Sequence, residues 1–241
     1  ANPYCVGRRS PIGTAHASRH ADLRGSSEMS AWIRMISDED ADGELKDALA
    51  LSRTPHGTVD NVLRVHSLRP ATMRGHILLY RSILHDDANR LPNWLQECIG
   101  SYVSIINNCP YSLANHWANA VDLLDDDFRA ATIEAALKAQ RPEDAFEGRE
   151  LALMHYAHKL TLTPAAMVEA DVQNLRDVGF DDGQILEANQ IICYFNYVNR
   201  SINGLGVTTN TPSKAQGVEL FCPTDTASWR AIWQGGARNV L

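Results

Sequence analysis

Five prolines punctuate the middle of this chain: Pro70, Pro92, Pro110, Pro142 and Pro164. Each precedes a stretch in which apolar residues recur every three or four positions. Proline breaks a helix from inside, yet its fixed φ and missing N–H cost nothing at the first helical position. The five therefore read as helix starts. The pattern predicts helices over 41–52, 59–66, 70–85, 92–107, 110–125, 128–139, 143–160, 168–178 and 182–203. No alternating run of β-branched residues is long enough for a sheet, so the fold class is all-α, a helical bundle.

Local signals sharpen some boundaries. Thr163 before Pro164 suits an N-cap. Asp181 with Gln184 forms a capping-box pattern, and Gly204 and Gly206 suit the end of the same helix. The 92–107 helix directs Leu95, Cys98, Ile99, Tyr102, Val103 and Ile106 to one face, and 143–160 carries Leu151, Met154, His155 and His158 at helical spacing. The helical domain is expected over 29–207, between an N-terminal tail, 1–28, and a C-terminal arm, 208–241. In its first 25 residues the tail holds Arg8, Arg9, Arg19, Arg24, His16 and His20 against the single acid Asp22. It reads as a solvated tail, with a transit segment as the competing reading. The arm holds Pro212, Pro223, Gly217, Gly235 and Gly236, and Trp229 and Trp233 are spaced to anchor it on a neighbouring subunit.

Composition removes whole classes of function. Hydrophobic residues make up 44% of the 241, enough for a substantial core. A net charge of −7 argues against a nucleic-acid surface. No apolar run is long enough to span a membrane. The five cysteines, Cys5, Cys98, Cys109, Cys193 and Cys222, are scattered and odd in number. They form neither a disulfide framework nor a zinc cluster, and a reducing cytoplasm is the expected compartment. No nucleotide loop, flavin motif or haem attachment motif is visible, so no cofactor is implied. His66, His76 and His85 do not fall on one helix face, so no metal site is expected there either. Cys98 and Cys193 read as core packing. Tyr194, Asn196, Asn199 and Arg200 form a polar set on a late helix, suited to an inter-helix network, a subunit contact or a pocket.

The chemistry concentrates between Glu97 and His116. With Pro110 opening a helix, Cys109 takes the N-cap, where helix N–H groups favour a thiolate and lower its pKa. His116 lies seven residues on, almost the same helix face at about 100° per residue, and Ser112 lies one turn along. Glu97 sits on the preceding helix, folded back by a short turn. A thiol, a hydroxyl, an imidazole and a carboxylate then come within reach of one another.

The spacing of Glu97, Cys109, Ser112 and His116 resembles the Glu-x11-Cys-x2-Cys-x3-His signature of the alkylhydroperoxidase D-like and carboxymuconolactone decarboxylase superfamily. The flanking runs Asn61–Pro70 and Tyr194–Arg200 resemble its peroxidase-related branch, and the likeness extends over about 30–207. The resemblance implies an alkylhydroperoxidase D-like helical bundle assembled as a homo-oligomer, trimer or hexamer. It implies a small-molecule substrate such as an organic hydroperoxide, an external thiol reductant, and an antioxidant oxidoreductase using Cys109, His116 and Glu97.

Ser112 departs from the family at the attacking cysteine. A hydroxyl forms neither a sulfenic acid nor a disulfide, so the dithiol cycle cannot run at this motif. Several readings stay open. Cys109 works alone, resolved by an external thiol or by Cys98 or Cys193. His116 and Glu97 perform non-redox acid–base chemistry of the decarboxylase, lyase or isomerase type. The domain binds without catalysis. Or the serine is an introduced substitution of a cysteine.

Overall fold

A computed structural model describes residues 30–54 and 57–209. The predicted tail, Cys5, Cys222 and the arm with Trp229 and Trp233 lie outside the described residues. Nine α-helices run through the described part: α1 (Gly43–Ser52), α2 (Asn61–Arg64), α3 (Pro70–Leu84), α4 (Asn93–Ile106), α5 (Pro110–Leu124), α6 (Asp127–Lys138), α7 (Gly148–Leu162), α8 (Glu169–Asp177) and α9 (Asp182–Leu205). No strand occurs among the described residues, and no helix there is long and apolar enough to cross a membrane.

The prolines divide into two groups. Pro70 and Pro110 occupy the first turns of α3 and α5, and Pro92 caps α4. Pro142 and Pro164 instead open single 3-10 turns, Pro142–Asp144 and Pro164–Ala166. The helix expected from 143 therefore starts at Gly148. Thr163 does not cap through its side chain; its hydroxyl donates back to the Lys159 carbonyl at 3.2 Å. The pattern shows where a proline starts a turn but not whether the turn continues. Continuation needs an apolar face with something to pack against, and neither 3-10 turn goes on as a helix. Asp181 does form the capping box with Gln184, and Gly206 ends α9 in the left-handed conformation that glycine favours.

α4 is the centre of the fold. Every residue from Leu95 to Ser104 is buried, because α5, α6, α7 and α9 all pack on it. Ile99, Tyr102 and Val103 are fully enclosed, each contributing about 1.5–3 kcal/mol by burial. Gln96, Glu97, Ser101 and Ser104 are enclosed with them. Buried polar groups are costly without partners, so a helix like this imposes a polar network on its neighbours. A smaller apolar cluster joins Leu45, Ala48 and Leu49 of α1 to Leu63 of α2 and Met73 and Ile77 of α3. A cavity lies between this cluster and the main core.

Candidate active site

The α4–α5 hairpin sets the site. Its turn is Asn107, Asn108 and Cys109. Asn108 adopts a left-handed φ of 48°, which asparagine tolerates better than most non-glycine residues. Asn203 on α9 clamps the turn, donating to the carbonyls of Asn107 and Asn108 at 3.0 and 3.3 Å. The return of α5 along α4 then places His116 against Glu97.

The pair is closely joined. Nδ1 of His116 lies 2.6 Å from a Glu97 carboxyl oxygen, and the two side chains are only 15% and 10% exposed. The amide of Asn119 donates to the other Glu97 oxygen at 3.3 Å. Glu97 thus accepts on both oxygens, which places a His116 proton on Nδ1 and leaves Nε2 without a hydrogen-bond partner among the described residues. The imidazole stands edge-on to Phe195, ring centroids 4.5 Å apart at 86°. Phe195 reaches that position because residue 100 is glycine: a Cβ there would lie 2.3 Å from the tip of its ring.

Ser112 shares the cavity lining with His116, whereas Cys109 departs from the sequence expectation. The Ser104 hydroxyl lies 2.7 Å from the Gly100 carbonyl, 2.9 Å from Ser112 Oγ and 3.2 Å from the Asn199 amide nitrogen. The Ser104 hydroxyl is the donor toward both the Gly100 carbonyl and Ser112 Oγ, and it accepts from the Asn199 amide. Ser112 Oγ is thereby tied to α4 as an acceptor. Cys109 is 1% exposed and does not line the cavity. As N-cap it leaves the helical register, at φ −112° and ψ 86°, so its side chain does not share the face of Ser112 and His116. Burial pushes its thiol up, and the Ser112 backbone N–H offsets this only in part. The expected low-pKa thiolate is not found: desolvation outweighs the helix end. Burial and the adjacent Glu97 charge push Cys98 up to about 12. Cys193 is exposed rather than in the core, and donates to Asn189 at 3.7 Å.

The cavity has a volume of about 160 Å³. Ser112, His116 and Asn119 line one wall, and His76, Tyr80 and Tyr194 another. Asp60 and Tyr111 also line it. Desolvation raises the Asp60 carboxyl, with His116 pulling the other way. The Tyr111 hydroxyl accepts from the Val62 N–H at 3.4 Å. Nε2 of His76 lies 3.0 Å from the Tyr194 hydroxyl and Nδ1 lies 3.1 Å from His66. His85 stands apart from those two histidines, ring to ring with Tyr80 at 4.8 Å and within electrostatic reach of Glu97 and His116.

The polar set on α9 thus divides. Tyr194 faces the cavity, Asn199 bonds Ser104, and Asn196 and Arg200 bond each other nearby, with Asn196 also reaching Asn107 and Thr161. Sequence reasoning missed Asn119, although its position three residues after His116 is the signal for a shared face. Asp60 gave no signal at all.

No protein-family model matches the chain, and no curated protein matches it. Solved structures do. An uncharacterized peroxidase-related protein from Ralstonia eutropha JMP134, described as an alkylhydroperoxidase AhpD core, aligns with a TM-score of 0.64 at 19% identity, covering 76% of this chain and 94% of that one. An uncharacterized peroxidase-related protein from Silicibacter sp. TM1040 aligns at 0.61 and 22%, covering 79% and 93%. The debrominase Bmp8, as a cysteine-to-alanine variant in complex with 2,3,4-tribromopyrrole, aligns at 0.58 and 16%, covering 73% and 89%. The chain therefore has the all-helical fold of AhpD-like peroxidase-related proteins, as its motif suggested.

Proposed function

We propose that this AhpD-like domain is an acid–base enzyme that moves a proton on a small organic substrate, in a non-redox reaction of the lyase or isomerase type. The observation that carries the reading is the Glu97–His116 pair. Its carboxylate holds the imidazole with Nε2 bare and the ring on the cavity wall. Such a pair takes a proton from a bound substrate at Nε2, while Glu97 stabilises the imidazolium that forms. A low-polarity surrounding strengthens that stabilisation. The complex of Bmp8 with tribromopyrrole supports a small ring as a ligand the fold can hold.

The test uses 5-nitrobenzisoxazole, a carbon acid whose ring opens once a base removes its proton. The intact protein is expected to accelerate the opening, and His116→Ala and Glu97→Gln to lower the rate about 100-fold or more. A rate within threefold of the parent in His116→Ala sinks the reading.

A second reading rests on one observation, the place of Cys109 at the N-cap of α5. In that reading Cys109 reduces an organic hydroperoxide and an external thiol restores it. Hydroperoxide consumption lost in Cys109→Ala but kept in His116→Ala would select it.

A further inference from the structure

The cavity wall across from His116 carries a chain of hydrogen bonds whose direction is fixed at the protein surface. Thr72, on α3, has one hydroxyl proton and two neighbours. Its Oγ lies 2.8 Å from the Arg69 carbonyl and 3.1 Å from Nδ1 of His66. A carbonyl only accepts, so both contacts hold together only when His66 carries its proton on Nδ1. Nε2 of His66 is then a lone pair, 3.1 Å from Nδ1 of His76, and His76 must supply the proton. Nε2 of His76 is left to accept from the Tyr194 hydroxyl, 3.0 Å away. Four hydrogen bonds in a row point outward, and the phenol oxygen is left with acceptor capacity on the cavity side.

We propose that Tyr194, His76 and His66 form a proton relay from the cavity to the surface beside Thr72, and that Tyr194 is the cavity's second proton-handling group, acting on a small enol. The proposal rests on the acid–base reading of His116 and adds the substrate class. The bound enol gives its O–H proton to Tyr194 Oη. Tyr194 passes its own proton to Nε2 of His76, His76 passes the Nδ1 proton to Nε2 of His66, and His66 breaks its Nδ1 hydrogen bond to Thr72 to release that proton to water. At the substrate the O–H electron pair forms the C=O bond and the C=C pair takes a proton at carbon from Nε2 of His116, which solvent has first protonated. His116 regains a proton from solvent. Each relay group gains one proton and loses one, so the net changes are enol to ketone and a reversed tautomer on each histidine. After the product leaves, a proton taken from surface water at His66 and passed back to water in the vacated cavity resets the relay. Until that reset the relay is set to return a proton inward, which is what the opposite reaction requires.

The burial pattern suits transit rather than storage. His76 is 3% exposed, and burial with the neighbouring His66 holds it down to about 3. An extra proton does not rest there and must move on. His66 is half-buried and Thr72 exposed, so the chain ends where water can take the proton. Tyr80 and Tyr197 flank the relay with their rings, 5.8 Å from Tyr194 and 5.7 Å from His76 respectively. They put no charged group beside it.

Two measurements on the full chain test this. The first is nitrogen-15 NMR of the histidine rings, which needs no activity. Both His66 and His76 are expected to carry their proton on Nδ1, and Tyr194→Phe is expected to shift Nε2 of His76. A proton on Nε2 of His76 reverses the chain and overturns the relay. The second is ketonisation of the enol of phenylpyruvate. His66→Ala is expected to lower kcat about tenfold, with added imidazole restoring it, while Tyr194→Phe falls without rescue. A purely structural role for His66 would not produce that rescue. Full kcat in His66→Ala, or a parent no faster than buffer, overturns the proposal. If benzisoxazole opening depends on His116 while ketonisation ignores Tyr194 and His66, the relay falls and the acid–base reading stands. If the benzisoxazole does not react, that reading falls, and the histidine tautomers still decide the direction of the chain.

Discussion

Two histidines face one cavity, and their partners give them different work. On the α5 wall, His116 meets a carboxylate that only accepts, so its Nδ1 is tied and its Nε2 is free to act on a substrate. On the α3–α9 wall, His76 is engaged at both nitrogens, by His66 and by Tyr194. It touches the substrate space through the phenol rather than through its own lone pair. In the proposed function and relay the same imidazole serves as a base in one setting and a conductor in the other. The deciding variable is whether the second nitrogen finds an acceptor or another chain member.

The contrast breaks most readily at Gly100. A methyl there would meet Phe195, which is fully enclosed and packs edge-on against both the His116 ring and the Tyr194 ring. Gly100→Ala is expected to cost up to about 3 kcal/mol by overpacking, measured by urea unfolding. Benzisoxazole opening is expected to fall about tenfold as His116 tilts, with the His76 tautomer unchanged by NMR. Unchanged stability would show that Phe195 has room to move. A changed His76 tautomer would show that the two walls are not independent.

That asymmetry also explains what the sequence made legible. Glu97 and His116 are 19 residues apart on consecutive helices, and proline marked the start of the second. A short hairpin and the helical repeat are enough to bring them together. Tyr194 and His76 are 118 residues apart, and no local period links them. Their meeting depends on how α3 and α9 pack, which is a property of the whole core. The same reasoning covers Cys109. Its place at the helix start was legible, but its burial was not, because a capping residue leaves the helical register and its side-chain direction is set by the turn. Pro142 and Pro164 show the limit for the fold itself: proline marks a start, and packing decides how far the helix goes.

Acid sharpens the comparison from the other wall. Burial lowers His76 to about 3 and His85 to about 4, against 6.5 for a free imidazole. The folded state therefore binds fewer protons than the unfolded chain below pH 6.5. Stability from these groups is present above that pH and is lost as pH falls toward the folded values. At about 1.4 kcal/mol per unit, each group removes about 2 kcal/mol between pH 6.5 and pH 5. Urea unfolding of the parent is expected to show the combined loss, and His76→Gln to recover about half of it. A variant whose acid loss equals that of the parent would show that His76 takes up its proton without unfolding, and the buried wall would then be open to water.

The smallest effect tests whether the walls are coupled through the hairpin. Asn203 ties α9, which carries Tyr194, to the turn that starts α5, which carries His116. Its two hydrogen bonds are near the surface, where such bonds contribute about 1 kcal/mol in sum. Asn203→Ala is expected to lose that much stability while both the benzisoxazole rate and the His76 tautomer hold. The core contacts of α4 with α5 and α9 remain to keep the two walls in place. A tenfold loss of rate would mean that the turn, rather than the apolar packing, sets the angle at which His116 meets Glu97. The short distance between those two side chains would then depend on a clamp that solvent can reach.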